Sequence, residues 1–282
     1  MIDLHTHSDA SDGTLTPEEL VHAARGIGLE ALAISDHDTL AGYDCAAPVA
    51  AAVGLELVCG IEISTRFHQG RSGRGKSVHL LGYFLNGGPA PEFRAWLEEL
   101  QRGRRDRNRR LAARLQSFGV NISLEEVERL GHSVAGRPHF ARVMVNKGYV
   151  ARLQEAFDLF LGEAAKAYVR RDEPSLEEGV RRIREAGGTP SLAHPGRLSN
   201  DHATLERMAA EMRGFGLTAL EAYHSDHSSA DATFFLDLAR RRGLAVTGGT
   251  DFHGENKPGL VLGSVDVPRA CLDALREAAR RS

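Results

Sequence analysis

Histidines and acids crowd the start of the chain. Asp3 to Gly13 reads DLHTHSDASDG. Ile2 to Leu4 read as the end of a short buried strand, and side chains on a strand alternate faces, so His5 and His7 point the same way and can grip one ion. Asp12 follows a Ser/Asp/Gly-rich turn that can fold its carboxylate back over the strand end. The same residue types recur far along the chain. His37 stands in SDHDT, Glu62 in GIEIS, His79 in VHLLGYF, His194 in AHPG, and Asp251 with His253 in TDFHG. A glutamate inside an apolar strand is costly to bury without a cation. Asp251 and His253 repeat the opening arrangement, two ligand types spaced by two at a strand end. His224 and His227 follow another strand and read equally well as loop residues. Imidazole plus carboxylate, with no thiolate, suits manganese, iron or zinc.

The elements that carry these residues alternate strand and helix. Thr16-Pro17-Glu18-Glu19 is an N-cap, a proline at the first helical position and first-turn acids, opening a helix through Arg25. Ala31 to Ser35 is a short continuous apolar run, read as a parallel strand buried on both faces that delivers His37 at its C-terminal end. Tyr43 to Val53 reads as a helix, Leu55 to Ile63 as the third strand and Val78 to Phe84 as the fourth. After a long gap the alternation resumes: helix Ser175 to Ala186, strand Thr189 to Ala193, helix Ala203 to Arg213, strand Leu217 to Tyr223, helix Ala230 to Arg242, strand Ala245 to Gly249 and a last helix from Pro268 to about Arg280. Seven strands, most followed by a helix, carry candidate ligands at or near their C-terminal ends, which predicts an α/β fold of the β/α-barrel kind. An open doubly wound sheet would gather its ligands at one switch point instead.

Residues 89 to 169 interrupt this pattern and read as all-helical, an insertion placed as a lid on a barrel domain formed by residues 1–88 and 170–282. Phe93, Trp96, Leu97 and Leu100, then Leu111, Leu115 and Phe118, share one helical stripe, yet Arg104, Arg107 and Asn108 occupy it midway. Seven arginines and one aspartate lie between Arg102 and Arg114, and a solvated face accounts for most of them. Arg104, Arg107 and Asn108 instead point where packing residues belong. Gly136-Arg137-Pro138-His139 opens a further helix, where Arg137 and His139 are candidate phosphate or base contacts, with plain capping as the alternative. The stretch GRSGRGKS, residues 70–77, matches the P-loop pattern. A phosphate-cradling loop needs a helix after it, and here a strand follows, so the stretch reads as a flexible loop between two strands.

Composition limits the setting. At 282 residues, 42% hydrophobic and 26% charged, the chain can bury a core, and a formal net charge of −3 argues against a general nucleic-acid coat or a membrane-surface protein. Cys45, Cys59 and Cys271 form no CxxC pair, which suggests neither a disulfide framework nor a thiolate zinc site and fits a reducing cytoplasm. No basic and apolar leader opens the sequence, and no run approaches ~18 apolar residues, so a soluble protein that is not exported is expected. No protein partner is evident.

HTHSDASDG, SDHDT, GIEIS, VHLLGY, AHPG and TDFHG together resemble the motif series of the PHP (polymerase and histidinol phosphatase) family of metal-dependent phosphoesterases. The resemblance implies a distorted (β/α)7 barrel holding a trinuclear metal centre. It implies one metal held by His5, His7, Glu62 and Asp251, a second by Glu62, His79 and His194, and a third by Asp12, His37 and His253. Manganese is the favoured ion, with iron or zinc as alternatives, and Glu62, Asp251 and His194 are the expected catalytic residues. A hydroxide shared between two cations would attack phosphorus in line, while the third metal and Arg137 balance the phosphoryl charge. A metal-bound water, His224 or His227 would protonate the leaving oxygen.

The insert with its GRPH segment is similar to the subgroup that removes phosphate from nucleoside 3',5'-bisphosphates and trims short RNA from its 5' end. Hydrolysis of the 3'-phosphate of such a bisphosphate is therefore the expected activity, with Arg104, Arg107, Asn108, Arg137, His139 and His224 as substrate contacts. A 5'-3' exonuclease on short oligonucleotides is the nearest alternative. A histidinol-phosphate phosphatase would need an acidic partner for the substrate amine, and a silent scaffold would not need nine aligned ligands.

Overall fold

The computed structural model describes residues 1–68, 75–131 and 134–281. Seven strands lie side by side in chain order: β1 (Ile2–Thr6), β2 (Ala31–Ile34), β3 (Glu56–Phe67), β4 (Lys76–Phe84), β5 (Thr189–Leu192), β6 (Ala219–His224) and β7 (Ala245–Gly249). Neighbours are parallel except at β4, which runs antiparallel to both β3 and β5. The segment after β7 then meets β1, with Asp251 N donating to His5 O at 2.8 Å and His7 N to Phe252 O at 2.9 Å, so the sheet curls into a nearly closed barrel. The expected α/β barrel is what forms. The reversal of β4 distorts it and puts His79, near the strand's start, at the same rim as the ends of the parallel strands.

Helices cover the strands, and their caps are local. Thr16 and Glu19 make a reciprocal capping box at the start of α1 (Pro17–Gly26). The next helix, α2 (Ala41–Val53), starts two residues before the expected Tyr43 and ends at Gly54 in the left-handed region. Leu20 and Val21 of α1 and Ala46 and Ala50 of α2 pack with Leu32 and Ile34 of β2. With every residue of β1, β2 and β5 buried, the short apolar runs have the environment their composition calls for.

Between β4 and β5 lie α3 (Pro91–Ser117), α4 (Leu124–Gly131), α5 (Arg137–Asn146) and α6 (Leu153–Ala156), the last running into a π-helical turn at Phe157–Leu161, in the stretch expected as an insert. After it come α7 (Leu176–Glu185), α8 (His202–Gly214), α9 (Ser229–Arg242) and α10 (Arg269–Arg281). Two cores meet along α3. Phe93, Trp96 and Leu97 join the barrel core with Ile61, Leu80 and Ile183, whereas Leu111 and Leu115 join a separate core with Phe140, Met144 and Leu161. Between them, Arg104, Arg107 and Asn108 are buried. Phe118, expected on the same stripe, follows the last turn and is 45% exposed, because the helix ends at Ser117. Of the GRSGRGKS stretch, residues 70–74 lie outside the described residues, and Lys76 and Ser77 open β4 rather than a helix.

Candidate metal centre and arginine pocket

Glu62 is the hub of the rim. Its Oε2 lies 3.5 Å from His5 Nε2, 3.2 Å from His7 Nε2 and 3.2 Å from His37 Nδ1, and its Oε1 lies 3.0 Å from both His79 Nδ1 and His194 Nε2. One buried carboxylate thus presents two oxygens to two sets of imidazoles. Asp251 is divided in the same way. Its Oδ1 faces His5 and His7 at 3.5 and 3.3 Å, and its Oδ2 meets Lys257, Arg197 at 3.1 Å and His224 Nε2 at 3.5 Å. Asp12 Oδ1 stands 3.3 Å from His253 Nε2, and its Oδ2 3.7 Å from His37 Nε2.

Ligand-type atoms within 4.8 Å of one another fall into four groups among the described residues: His5, His7, Glu62 and Asp251; His7, Asp12, His37 and His253; His37, Glu62 and His79; and His5, Glu221 and His224. The first is the set expected for one ion. The second is the expected third set with His7 added. The third takes in His37, while His194 touches the same Glu62 oxygen without joining that group.

The electrostatics of these groups suit cations. Burial alone would raise the Glu62 carboxyl, but His79, His37 and His5 hold it well below the ordinary range. Burial is likewise outweighed at Asp251, chiefly by His5, and at Asp12, chiefly by His37 and His253, and both carboxyls are held low. At His7 the neighbouring Asp251 and Glu62 overcome burial and raise the imidazole to about 9. Burial wins at His37 and His194, pushed down to about 3 and about 4, so their rings stay neutral with lone pairs available. His5 Nε2, His7 Nε2, His37 Nδ1, His194 Nδ1 and His224 Nε2 are buried without a hydrogen-bond partner among the described residues. Orphaned imidazole nitrogens facing ionised carboxylates fit divalent ions better than they fit a packed core.

Four buried acids that sequence reasoning left unassigned hold this arrangement. Asp3 accepts from Thr250 N at 3.0 Å and Thr250 Oγ1 at 2.7 Å, fixing the chain just before Asp251. Asp36 accepts from Ser8 N, Ser8 Oγ and Ser11 Oγ, folding the turn that carries Asp12. A side chain at Gly13 would strike the His7 carbonyl, so only glycine closes that turn. Glu221 Oε1 lies 3.0 Å from His5 Nδ1, its Oε2 accepts from His194 N at 2.7 Å, and its carboxyl is pulled down to about 2 against burial by His5 and His224. Such outer carboxylates orient ligating imidazoles. The fourth, Asp38, binds arginines. The signal for all four was the one that flagged Glu62: an acid inside or beside an apolar strand. Asp38, His194 and Asp251 are also the non-glycine residues with positive φ among those described, and backbone strain of this kind concentrates at functional sites.

Beside the ligands opens a pocket whose wall includes Asp12, His37 and His79 from the cluster and Arg66, Arg104, Arg107, Arg137 and Arg171. Arg104 Nη2 and Arg171 Nη1 both donate to Asp38 Oδ2, the second at 2.9 Å. Arg66 pairs with Glu163 and Glu173. Among the described residues Arg107 makes no ion pair; it is 5% exposed and is pushed down to about 9 by burial and by Arg104, Arg171 and Arg137, against the pull of Glu173. Arg104 Nε, Arg107 Nε and Arg171 Nη2 are buried donors without hydrogen-bond partners among the described residues.

The remaining expected contacts divide. Arg137 lies over the Tyr168 ring at 5.8 Å and lines the pocket. His139 also lines it, but its Nδ1 accepts from Gly136 N at 3.0 Å, which is the capping alternative. Asn108 donates to Ala135 O at 2.6 Å, tying α3 to the insert rather than facing the pocket. His224 is buried against Asp251 with Nδ1 accepting from Asp226 N, and His227 has both ring nitrogens on backbone atoms, Ala222 O and Gly196 N. His227 therefore has no nitrogen left to protonate a leaving group.

The comparisons agree with this geometry. The chain is 34% identical to a 3',5'-nucleoside bisphosphate phosphatase from Chromobacterium violaceum over 99% of its own length and 97% of that protein's. It is 31% identical to a 5'-3' exoribonuclease from Haemophilus influenzae over 89% of each chain. The solved structure of a proposed metal-dependent phosphoesterase from Bifidobacterium adolescentis superposes with a TM-score of 0.84 at 31% identity, covering 100% of this chain and 96% of that one. The model of the PHP domain matches residues 3–186, and with the rim just described the chain belongs to the PHP domain family.

Proposed function

We propose that this metal-dependent phosphoesterase of the PHP family removes the 3'-phosphate from nucleoside 3',5'-bisphosphates. The observation that carries the reading is Arg107, a buried guanidinium that makes no ion pair among the described residues, beside Arg104, Arg137 and Arg171 and with Glu173, itself paired to Arg66 and Arg171, as a nearby acid, in a pocket that shares His37, His79 and Asp12 with the ligand cluster. A substrate with two phosphates brings one anion for the cluster and a second for the arginines. The likeness to a bisphosphate phosphatase over nearly the full length of both chains supports the same choice.

His5, His7, Glu62 and Asp251, with His37, His79, His194, Asp12 and His253, would hold the ions, and three manganese ions are our proposal for that donor set. Bound there, divalent ions supply positive charge for the phosphoryl oxygens and make water acidic enough to act as nucleophile. The chain's own residues do the rest. Glu221 and the His253 Nδ1 contact to Asp251 O at 2.8 Å fix which ring nitrogen faces the reaction. Arg107, Arg137 and the unpartnered N–H groups of Arg104 and Arg171 grip the phosphate that does not react, which orients the one that does. Arg142 of α5, held to Asn256, whose amide in turn reaches Asp12 O at 2.8 Å, fastens the insert over the rim and limits water.

The same pocket suits the 5'-phosphorylated end of a short oligonucleotide, and the likeness to an exoribonuclease supports that second reading. The three cysteines are free thiols, in keeping with a reducing cytoplasm, and no helix among the described residues is long and apolar enough to cross a membrane. Phosphate release from adenosine 3',5'-bisphosphate, adenosine 5'-phosphate, histidinol phosphate and a 5'-phosphorylated dinucleotide, each with manganese and with chelator, tests the choice. The bisphosphate should give the highest kcat/KM, abolished by chelator. A higher value for the dinucleotide would move the assignment to the exonuclease.

A further inference from the structure

Asp38 stands at the crossing of four segments. It leaves β2 one residue after His37 with φ of 54° and is fully buried. Its main-chain N–H donates to Glu62 O at 3.0 Å, and its carbonyl accepts from Gln101 Nε2 of α3 at 2.9 Å. Its side-chain Oδ1 accepts from Ser64 N of β3 at 3.0 Å. The remaining oxygen, Oδ2, takes both Arg104 of α3 and Arg171, which lies on the irregular segment leading into α7. Two like charges that would otherwise repel are thereby locked side by side.

A guanidinium is a rigid fork of five N–H groups, so fixing one branch fixes where the others point. Arg104 and Arg171 each give one nitrogen to Asp38. That leaves Arg104 Nε and Arg171 Nη2 buried without hydrogen-bond partners among the described residues, in the wall that also holds Arg107. The two arginines share the Asp38 oxygen, and Arg171 also has Glu173 Oε1 3.6 Å from its Nε.

We propose that Asp38 is a positioning residue for substrate choice: by pinning Arg104 and Arg171 to one oxygen it sets the spacing of the N–H groups that receive the non-reacting phosphate. This rests on the bisphosphate reading given above. None of the hydrogen bonds of Asp38 goes to a ligand-type nitrogen. Its effect passes through two arginines, so it alters selection between substrates and leaves the ion-holding residues intact.

The test compares wild type, Asp38→Asn and Asp38→Glu on adenosine 3',5'-bisphosphate and on p-nitrophenyl phosphate, which has no second anion. Asp38→Asn keeps the shape but cannot balance two guanidiniums, and the ratio of KM for the bisphosphate to KM for the aryl phosphate should rise about tenfold or more. Manganese bound per chain, measured by plasma mass spectrometry, should not change. Asp38→Glu keeps the charge and displaces the oxygen by one methylene, so the ratio should rise there too, which carries the test if Asp38→Asn fails to fold. A wild-type ratio in Asp38→Glu would reduce Asp38 to charge balance and overturn the proposal. Loss of manganese in either folded variant would also overturn it, by routing the effect through His37. A wild-type enzyme without preference for the bisphosphate would instead sink the substrate reading itself.

Discussion

A buried guanidinium with no partner is a cost in the free protein and an asset when an anion arrives. Arg107 is close to that position, with its Nε unpartnered among the described residues, and burying a charge without close pairing is costly, so an apolar side chain of similar length removes that cost. In anion-free buffer with chelator present, Arg107→Met should therefore melt at the same temperature as wild type or a few degrees higher, since about 1 kcal/mol corresponds to about 2–4 °C at this chain length. Added adenosine 3',5'-bisphosphate should raise the wild-type Tm and leave that of the variant nearly unmoved. Equal ligand shifts in the two proteins, read by scanning fluorimetry, would remove Arg107 from the anion site. Arg107 was legible in the sequence because its register conflicts with its polarity. Asp3, Asp36, Asp38 and Glu221 were not singled out although each is an acid inside or beside an apolar strand, because the partners that give them their roles lie mostly 25 to 260 positions away.

The helix α3 joins three environments in one rod. Its first turns carry Phe93 and Trp96 into the barrel core, its middle presents arginines to the pocket, and its end carries Leu111 and Leu115 into the core of the insert. Those two hydrophobic clusters share no residue, so the insert should open without unfolding the barrel. Phe140 is fully buried in the second cluster. Its replacement by alanine is expected to cost about 3–5 kcal/mol. In Phe140→Ala, hydrogen exchange followed by mass spectrometry should accelerate in α5 and the end of α3, while amides of β1, β2 and β5 keep their protection. Uniform acceleration would mean one cooperative unit. The alternation of greasy and basic residues on α3 was readable in advance. The end of the helix at Ser117, which leaves Phe118 exposed, depends on the turn that follows and was not.

The rim as a whole is an acid-sensitive assembly. Glu221 has its carboxyl lowered from 4.5 to about 2, and Glu62, Asp12 and Asp251 are lowered in the same direction. A carboxyl depressed in the folded state contributes stability in full above its unfolded value, and that contribution disappears as pH falls through the folded one. Glu221 alone accounts for on the order of 3 kcal/mol, lost between about pH 4.5 and about pH 2. Urea unfolding at pH 7, 4 and 3 should show a falling midpoint, and Glu221→Gln should flatten that dependence. A dependence equally steep in the variant would mean that the paired carboxylates elsewhere dominate acid unfolding.

The sequence by itself determined which residue types stand at strand ends and that the α/β pattern is broken by a helical block. Periodicity of two along a strand and the cost of burying a lone glutamate are local facts, readable without coordinates. What only the tertiary structure decided is how those ends close on one another. The antiparallel course of β4 brings His79 to the rim, and Glu62 divides its two oxygens between two sets of histidines. Asp38 draws Arg104 of α3 and Arg171, 67 positions later, onto a single oxygen. Partner choice among like groups is set by distance in three dimensions, and chain order carries no record of it.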